Sequence, residues 1–364
     1  MGSEQTVLNV YDEFAKLLVD TGSGANRIPL EGSIDITSRC NLKCAHCYVP
    51  RAPFQGEMTY EEICRIFDQI ADAGCLWLLL TGGEPFIRPD FADIYHYAKR
   101  KGFVVTLFTN GTLLTPQLVN MLREDPPFKI EISLYGMTVT TYEKITGVAG
   151  SFQRCINGIN LLIERRLPLT LKTVAITLNK HEIGDMKKYA NSLGIDFRFD
   201  PMINPSLDGS AKPLNLRLSP EEILELDTAD EDRCDSFSAF CEKNWEAVRD
   251  DRLYVCGAGL NMFHITANGE LAECILGRRT NYNLIRGNFR EGFYEVIPKK
   301  ILSQKRTRYS ECQSCPMTSL CGSCCARGEL ECGDPEAKVD HFCKVAHLRA
   351  AAFKEGWQEK ASAK

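Results

Sequence analysis

Cys40-Asn41-Leu42-Lys43-Cys44-Ala45-His46-Cys47 places three thiols within eight residues, directly after the strand-like run Ser33–Thr37. Thiolates are soft ligands, suited to iron–sulfur clusters and to zinc. A [4Fe–4S] cube presents four irons, each usually capped by a cysteine. A loop with three cysteines therefore leaves one iron open to a small chelating molecule. A zinc knuckle or a set of buried thiols is the alternative that this spacing alone leaves standing.

A second cysteine field fills the carboxyl-terminal third. Cys256 precedes a hairpin signal, Phe263–Thr266, Asn268-Gly269 and Glu270–Ala272, which ends at Cys274. Cys312, Cys315, Cys321 and Cys325 follow in a C-x2-C-x5-C-x3-C array, with Cys343 beyond it. In dense arrays the fourth cysteine often serves a neighbouring cluster.

These residues need a scaffold, and the hydrophobic pattern describes one. Short apolar runs at Ser33–Thr37, Leu76–Thr81, Val104–Thr109, Lys129–Ser133, Leu169–Ile176 and Asp196–Met202 read as strands. Between them lie helical periods: one begins at Thr59 with a capping-box spacing to Glu62 and an Ile63, Ile66, Phe67, Ile70 stripe. Others run about Asp90–Arg100, Pro116–Arg123, Phe152–Arg165 and Ile183–Leu193, and Val10–Leu18 reads as an isolated amphipathic helix. Strands alternating with helices give a parallel sheet with right-handed crossovers. Six units build an α/β fold of the open, partial (β/α)6 barrel type. The polar motifs Cys40–Cys47, Gly82-Gly83-Glu84-Pro85, Thr109-Asn110-Gly111 and Ser133-Leu134-Tyr135-Gly136 each follow a strand. The carboxyl ends of parallel strands are where ligands gather, so these motifs form one rim. Asn110-Gly111 reads as a structural turn, and Asp227–Asp232 as a solvated acidic face.

Composition narrows the class. The chain has 364 residues, 17 cysteines and a net charge of −5. An acidic balance argues against nucleic acid as the main partner, and no apolar stretch approaches the roughly 20 residues of a membrane span. Without an export signal, the cysteines point to metal ligation in a reducing cytoplasm. Residues 203–218, rich in Pro, Asn, Ser and Gly, read as a boundary before the helix start Ser219-Pro220-Glu221-Glu222. The expected organisation is an extension over 1–30, the barrel over 31–215, a helical linker over 216–252 and an auxiliary-cluster domain over 253–364.

The C-x3-C-x2-C loop, with a glycine pair and Glu-Pro after the next strand, resembles the radical S-adenosylmethionine (SAM) superfamily. The seven carboxyl-terminal cysteines resemble the SPASM extension of such enzymes, and together the motifs cover residues 33 to 345. The resemblance implies SAM on a cluster held by Cys40, Cys44 and Cys47, chelating the open iron. Gly82, Gly83, Glu84 and Pro85 would meet the methionine part, with Glu84 accepting from its ammonium group. His46 would contact the adenine side, Ser133 the ribose or methionine part, and Met202 the adenine. Many relatives carry an arginine shortly past the serine to pair with the SAM carboxylate; here Glu143-Lys144-Ile145-Thr146-Gly147 leaves Lys144 or Thr146 to serve. Two auxiliary [4Fe–4S] clusters are implied: an outer one on Cys312, Cys315, Cys321 and Cys343, and an inner one on Cys256, Cys274 and Cys325. The inner set is one ligand short. Cys324, Cys332, Cys234, Cys241 or a substrate group would complete it.

The implied chemistry is reductive cleavage of SAM to methionine and a 5′-deoxyadenosyl radical, with a flavodoxin or ferredoxin as reductant. The auxiliary clusters favour net oxidation, such as crosslinking or dehydrogenation of a ribosomally made peptide. Thirty amino-terminal residues are too few for a peptide-recognition domain, which implies a separate recognition protein. Ile275 and Leu276 stand where sulfatase maturases carry an aspartate, which counts against that activity. The alternatives are a radical SAM enzyme acting on a sugar, tetrapyrrole or amino acid, and a non-catalytic electron carrier or zinc scaffold. No catalytic base is legible; Arg198, Asp200, Tyr135 and Arg278 are candidates to face a pocket.

Overall fold

The computed structural model describes residues 27–50, 56–243, 251–317 and 320–353; the expected helix Val10–Leu18 lies outside them. Six parallel strands follow one another in chain order: β1 (Glu31–Thr37), β2 (Trp77–Gly82), β3 (Val104–Thr109), β4 (Lys129–Ser133), β5 (Leu169–Val174) and β6 (Asp196–Asp200). The connecting helices are α1 (Tyr60–Asp72), α2 (Phe91–Arg100), α3 (Pro116–Glu124), α4 (Val139–Thr146), α5 (Ser151–Glu164) and α6 (Ile183–Ser192). This is the partial barrel that the alternation implies.

Local chemistry explains the element starts. Thr59 accepts from the Glu62 N–H at 3.2 Å while the Glu62 carboxylate accepts from the Thr59 N–H at 2.8 Å. Such a cap is worth about 1 kcal/mol. Ile63, Ile66, Phe67 and Ile70 are all completely buried against the sheet. Each contributes roughly 1.5–3 kcal/mol of apolar burial, so packing outweighs the cap. Along the strands, Ile34, Ile36, Leu78, Leu80, Leu107, Ile130, Ile132 and Leu171 point toward the helices and are buried. The opposite face carries polar side chains and becomes the site.

The sheet does not stop with the barrel. The hairpin strand β7 (Met262–Ile265) pairs in parallel with the free edge of β1, then β8 (Glu270–Ala272) and β9 (Tyr282–Asn283) continue antiparallel. Nine strands thus form one sheet among the described residues, in the order β6-β5-β4-β3-β2-β1-β7-β8-β9. Helices α7 (Pro220–Thr228) and α8 (Glu231–Lys243) lead to the carboxyl-terminal region, where α9 (Cys325–Cys332) and α10 (Asp340–Phe353) carry cysteines. Ser219 and Glu222 make the expected capping box on α7.

Two expectations need correction here. The acidic stretch is a solvated face only in part: Glu231 and Asp232 are exposed, but Asp227 is 0 % exposed and accepts from Arg233 Nε at 2.9 Å and Arg349 Nε at 2.8 Å. Lys187 bridges Asp230 and Asp232. The charges join α7, α8, α10 and α6, because a buried carboxylate must be paired. Residues 203–218 also do more than separate two parts. The Leu207 N–H and the Ser206 hydroxyl donate to the Tyr48 carbonyl at 2.8 and 3.0 Å, closing over the end of the cysteine loop.

Candidate active site

The cysteine loop leaves β1 and is clamped on both sides. The Thr37 hydroxyl and the Ser38 N–H donate to Glu57 at 2.7 Å each, fixing the exit of the strand. Further on, the Lys43 and Ala45 N–H groups donate to the Thr146 and Ile145 carbonyls at 2.7 and 2.9 Å. Helix α4 therefore ends against the loop. Gly147 sits at φ 67°, and a Cβ there would lie 3.0 Å from the Lys43 carbonyl oxygen. The Thr146 hydroxyl is 0 % exposed and bonded to Ser151 at 2.8 Å, so it is not the carboxylate partner that the sequence leaves open. What this segment provides to the loop is backbone.

The Gly82-Gly83 pair is explained by a contact other than the expected one. At Gly82 (φ 132°) a Cβ would stand 2.2 Å from the Thr37 carbonyl oxygen, and at Gly83 2.2 Å from that of Arg39. The Gly83 and Glu84 N–H groups donate to those same carbonyls at 2.9 Å each. The glycines let β2's loop lie directly on the residues that enter the cysteine loop. Pro85 is buried at the start of the following short turn.

Glu84 is held from within the chain as well. Its side chain is 0 % exposed, with one oxygen accepting from the Thr109 hydroxyl at 2.7 Å and the other from the Asn110 N–H at 2.8 Å. Burial pushes its carboxyl up to about 7. Glu84 thereby holds two strand ends together.

Asn110, read as part of a plain turn, proves to face the cysteines. Its Nδ2 lies 3.8 Å from Cys40 Sγ and donates to Asn41 Oδ1 at 3.0 Å, while Asn41 Nδ2 reaches the Thr112 hydroxyl at 2.7 Å. An Asn-Gly dipeptide is so common in turns that sequence alone hides this role. The Leu42 N–H also points at Cys40 Sγ, at 3.4 Å.

The thiols of Cys40, Cys44 and Cys47 share one neighbourhood, since all three act electrostatically on Tyr135, whose phenol burial pushes well up. Ser133, at the end of β4, contacts the same phenol. The Tyr135 ring stands edge-on to His46 at 4.7 Å between centroids. His46 is buried, and burial pushes its imidazole down to about 4, so it is neutral at pH 7. Its Nδ1 has no hydrogen-bond partner among the described residues. A buried polar atom without a partner is rare and marks where a ligand is expected to arrive. Met202 lies just past β6 and reaches the Gly322 loop of the second cysteine field; a Cβ on Gly322 would be 2.8 Å from its methyl.

On the open face of the sheet, Phe108, Glu131, Ser133, Lys172 and Arg198 are aligned by strand register. Lys172 Nζ is 3.2 Å from Glu131 and lies over the Phe108 ring, and Arg198 pairs with Glu131 as well. Burial pushes Lys172 down to about 7 against the opposing Glu131 charge. Asp200, two residues after Arg198, shares that face, whereas Arg278 donates to the Cys274 and Gly277 carbonyls.

The carboxyl-terminal thiols fall into two groups. Cys312, Cys315, Cys321 and Cys343 interact with one another. Cys256, Cys274 and Cys325 each interact with Cys324, and a cavity of about 120 Å³ is lined by cysteines of both groups. No three His, Cys, Asp or Glu side chains among the described residues converge on one point as a single metal ion requires.

Residues 34–190 match the model of the Radical SAM superfamily. Those residues form a radical SAM domain. A radical SAM domain takes S-adenosylmethionine and a [4Fe–4S] cluster, and the cysteine-rich carboxyl-terminal part fits auxiliary clusters. The antilisterial bacteriocin subtilosin biosynthesis protein AlbA of Bacillus subtilis (strain 168) is 27% identical over 327 residues, 85% of this chain and 70% of AlbA. The AdoMet-dependent heme synthase of Methanosarcina barkeri (strain Fusaro / DSM 804) is 36% identical over 166 residues. That match spans 44% of this chain and 46% of the heme synthase, about half of each. Streptococcus suis SuiB, solved with its precursor peptide SuiA, superposes with a TM-score of 0.72 at 22% identity, covering 93% of this chain and 80% of SuiB, which establishes the shared fold. No helix among the described residues is long and apolar enough to cross a membrane.

Proposed function

We propose that this radical SAM protein oxidatively modifies a ribosomally made peptide, by crosslinking or dehydrogenation. The supporting observation is that similarity to the subtilosin biosynthesis protein AlbA extends over 85% of the chain. SuiB, which has the same fold, is bound to a peptide in one of its structures.

The cluster on Cys40, Cys44 and Cys47 would supply the 5′-deoxyadenosyl radical from SAM. The residues of this chain position and shield. The Glu84, Thr109, Asn110 and Asn41 chain fixes the cysteine loop against β2 and β3. Buried His46 offers its free Nδ1 to the adenine side, and Ser133 stands beside Tyr135 at the rim. Lys172, Glu131 and Arg198 line the open face, where a peptide's carbonyls and charged groups find complementary partners. The auxiliary thiols lie beyond Met202, on the side from which an electron leaves the substrate. An external flavodoxin or ferredoxin supplies the electron.

A tetrapyrrole is the second reading, favoured by the 36% identity to the heme synthase over 166 residues. Anaerobic incubation with SAM and reductant separates the two. A mass change of −2 Da, or multiples of it, in a candidate precursor peptide supports the first reading. An unchanged peptide alongside a converted iron porphyrin overturns it.

A further inference from the structure

The inner cysteine group has three thiols that the motif assigns, Cys256, Cys274 and Cys325, and needs a fourth. Four other cysteines compete for the place, and their surroundings differ. Cys332 is exposed near the end of α9, among Glu331, Asp334 and Asp340, with no other thiol acting on it. Cys234 donates to the Asp227 and Thr228 carbonyls at 3.5 Å each. Cys241 is 2 % exposed and packs with Met317, Leu320, Ala346 and Ala350.

Cys324 is different. It is exposed on the wall of a cavity that both cysteine groups line, and Cys332, Cys234 and Cys241 do not line it. The Cys256, Cys274 and Cys325 thiols all lie within electrostatic reach of it. Its backbone is extended at φ −147°, ψ 167°, immediately before α9, and its thiol makes no capping hydrogen bond. This turn in the chain lets two adjacent cysteines serve one centre, because an extended residue and a first helical residue project differently. We infer that Cys324 is the fourth protein ligand of the inner auxiliary cluster, which closes that cluster to direct binding of substrate. The C-x2-C-x5-C-x2-C-C run then uses all five of its thiols, three outward and two inward.

One rival is not a thiol. Asn261 Oδ1 is buried without a partner and lies close to Gly257, next to Cys256. An amide oxygen is a hard ligand, poorly matched to an iron–sulfur cluster beside an available thiolate.

The test uses the full chain, loaded anaerobically with iron and sulfide, and treated with iodoacetamide before and after the clusters are stripped. Peptide mapping reads each cysteine separately. Cys324 should react at least roughly tenfold more slowly in the loaded protein, while exposed Cys332 reacts equally in both. Equal labelling of Cys324 in protein holding a full complement of about twelve irons overturns the assignment. A count lacking the auxiliary irons instead overturns the cluster reading on which the assignment rests. As a second readout, Cys324→Ala should make the EPR signal of one auxiliary cluster respond to added cyanide, with Asn261→Leu unresponsive. With SAM bound to cover the open iron of the first cluster, a parent protein whose auxiliary-cluster signal already responds to cyanide contradicts the inference.

Discussion

The backbone N–H of Asn110 donates to the Glu84 carboxylate at 2.8 Å, and the same asparagine's side chain points at Cys40 Sγ, 3.8 Å away. One residue thus joins the loop after β2 to the loop that bears the three thiols. The iron site is held by a hydrogen-bonded chain that passes through the core.

Glu84 gives a pH signature. Its carboxyl is pushed up to about 7 by burial, from an ordinary value of 4.5. A raised acid favours the folded state fully below the unfolded value, and that contribution is lost as pH rises from about 4.5 through 7. The difference amounts to roughly 3 kcal/mol at 1.36 kcal/mol per unit. Glu84→Gln keeps an acceptor for the Asn110 N–H and removes the ionisable group. Urea unfolding at pH 5 and pH 7.5 should show a smaller pH dependence in the variant than in the parent.

Asn110→Leu removes a donor from a cluster sulfur. Hydrogen bonds to ligand sulfur raise the reduction potential, so the SAM-site cluster should become harder to reduce, by tens of millivolts. EPR-monitored titration of a variant lacking the auxiliary cysteines reads this directly. An unchanged potential would show that the contact does not reach the metal.

Asp227→Asn tests the buried charge cluster. Asp227 is 0 % exposed and paired to Arg233 and Arg349. Neutralising one partner leaves buried guanidinium charge uncompensated, a loss of about 3–5 kcal/mol. A urea midpoint within error of the parent would restore the description of this stretch as a solvated face.

Much of the barrel was legible because its signals are local. Capping boxes at Thr59 and Ser219, the apolar stripe of α1 and the Asn268-Gly269 hairpin each depend on a few neighbouring residues. The pairing of β7 with β1 was not legible, since parallel strands separated by so much chain leave no mark on either segment. Helix α4 was missed for another reason: its eight residues include three threonines, which are weak helix formers. At the rim the motif positions were readable and their contacts were not. Glu84 and Gly83 carry the expected residue types, yet which atoms they face depends on the strand that happens to lie beside them. Asp227 shows the same limit, because a run of acids looks solvated until two distant arginines are brought to it.

The most direct test of the account compares the anaerobically loaded parent with a variant in which Cys40, Cys44 and Cys47 are all alanine. Both receive SAM and dithionite, and 5′-deoxyadenosine is quantified by mass spectrometry alongside bound iron. The parent should form 5′-deoxyadenosine, and the variant should lose that activity and about four irons while keeping about eight. Retention of both by the variant, or a parent that holds zinc and leaves SAM intact, would contradict it.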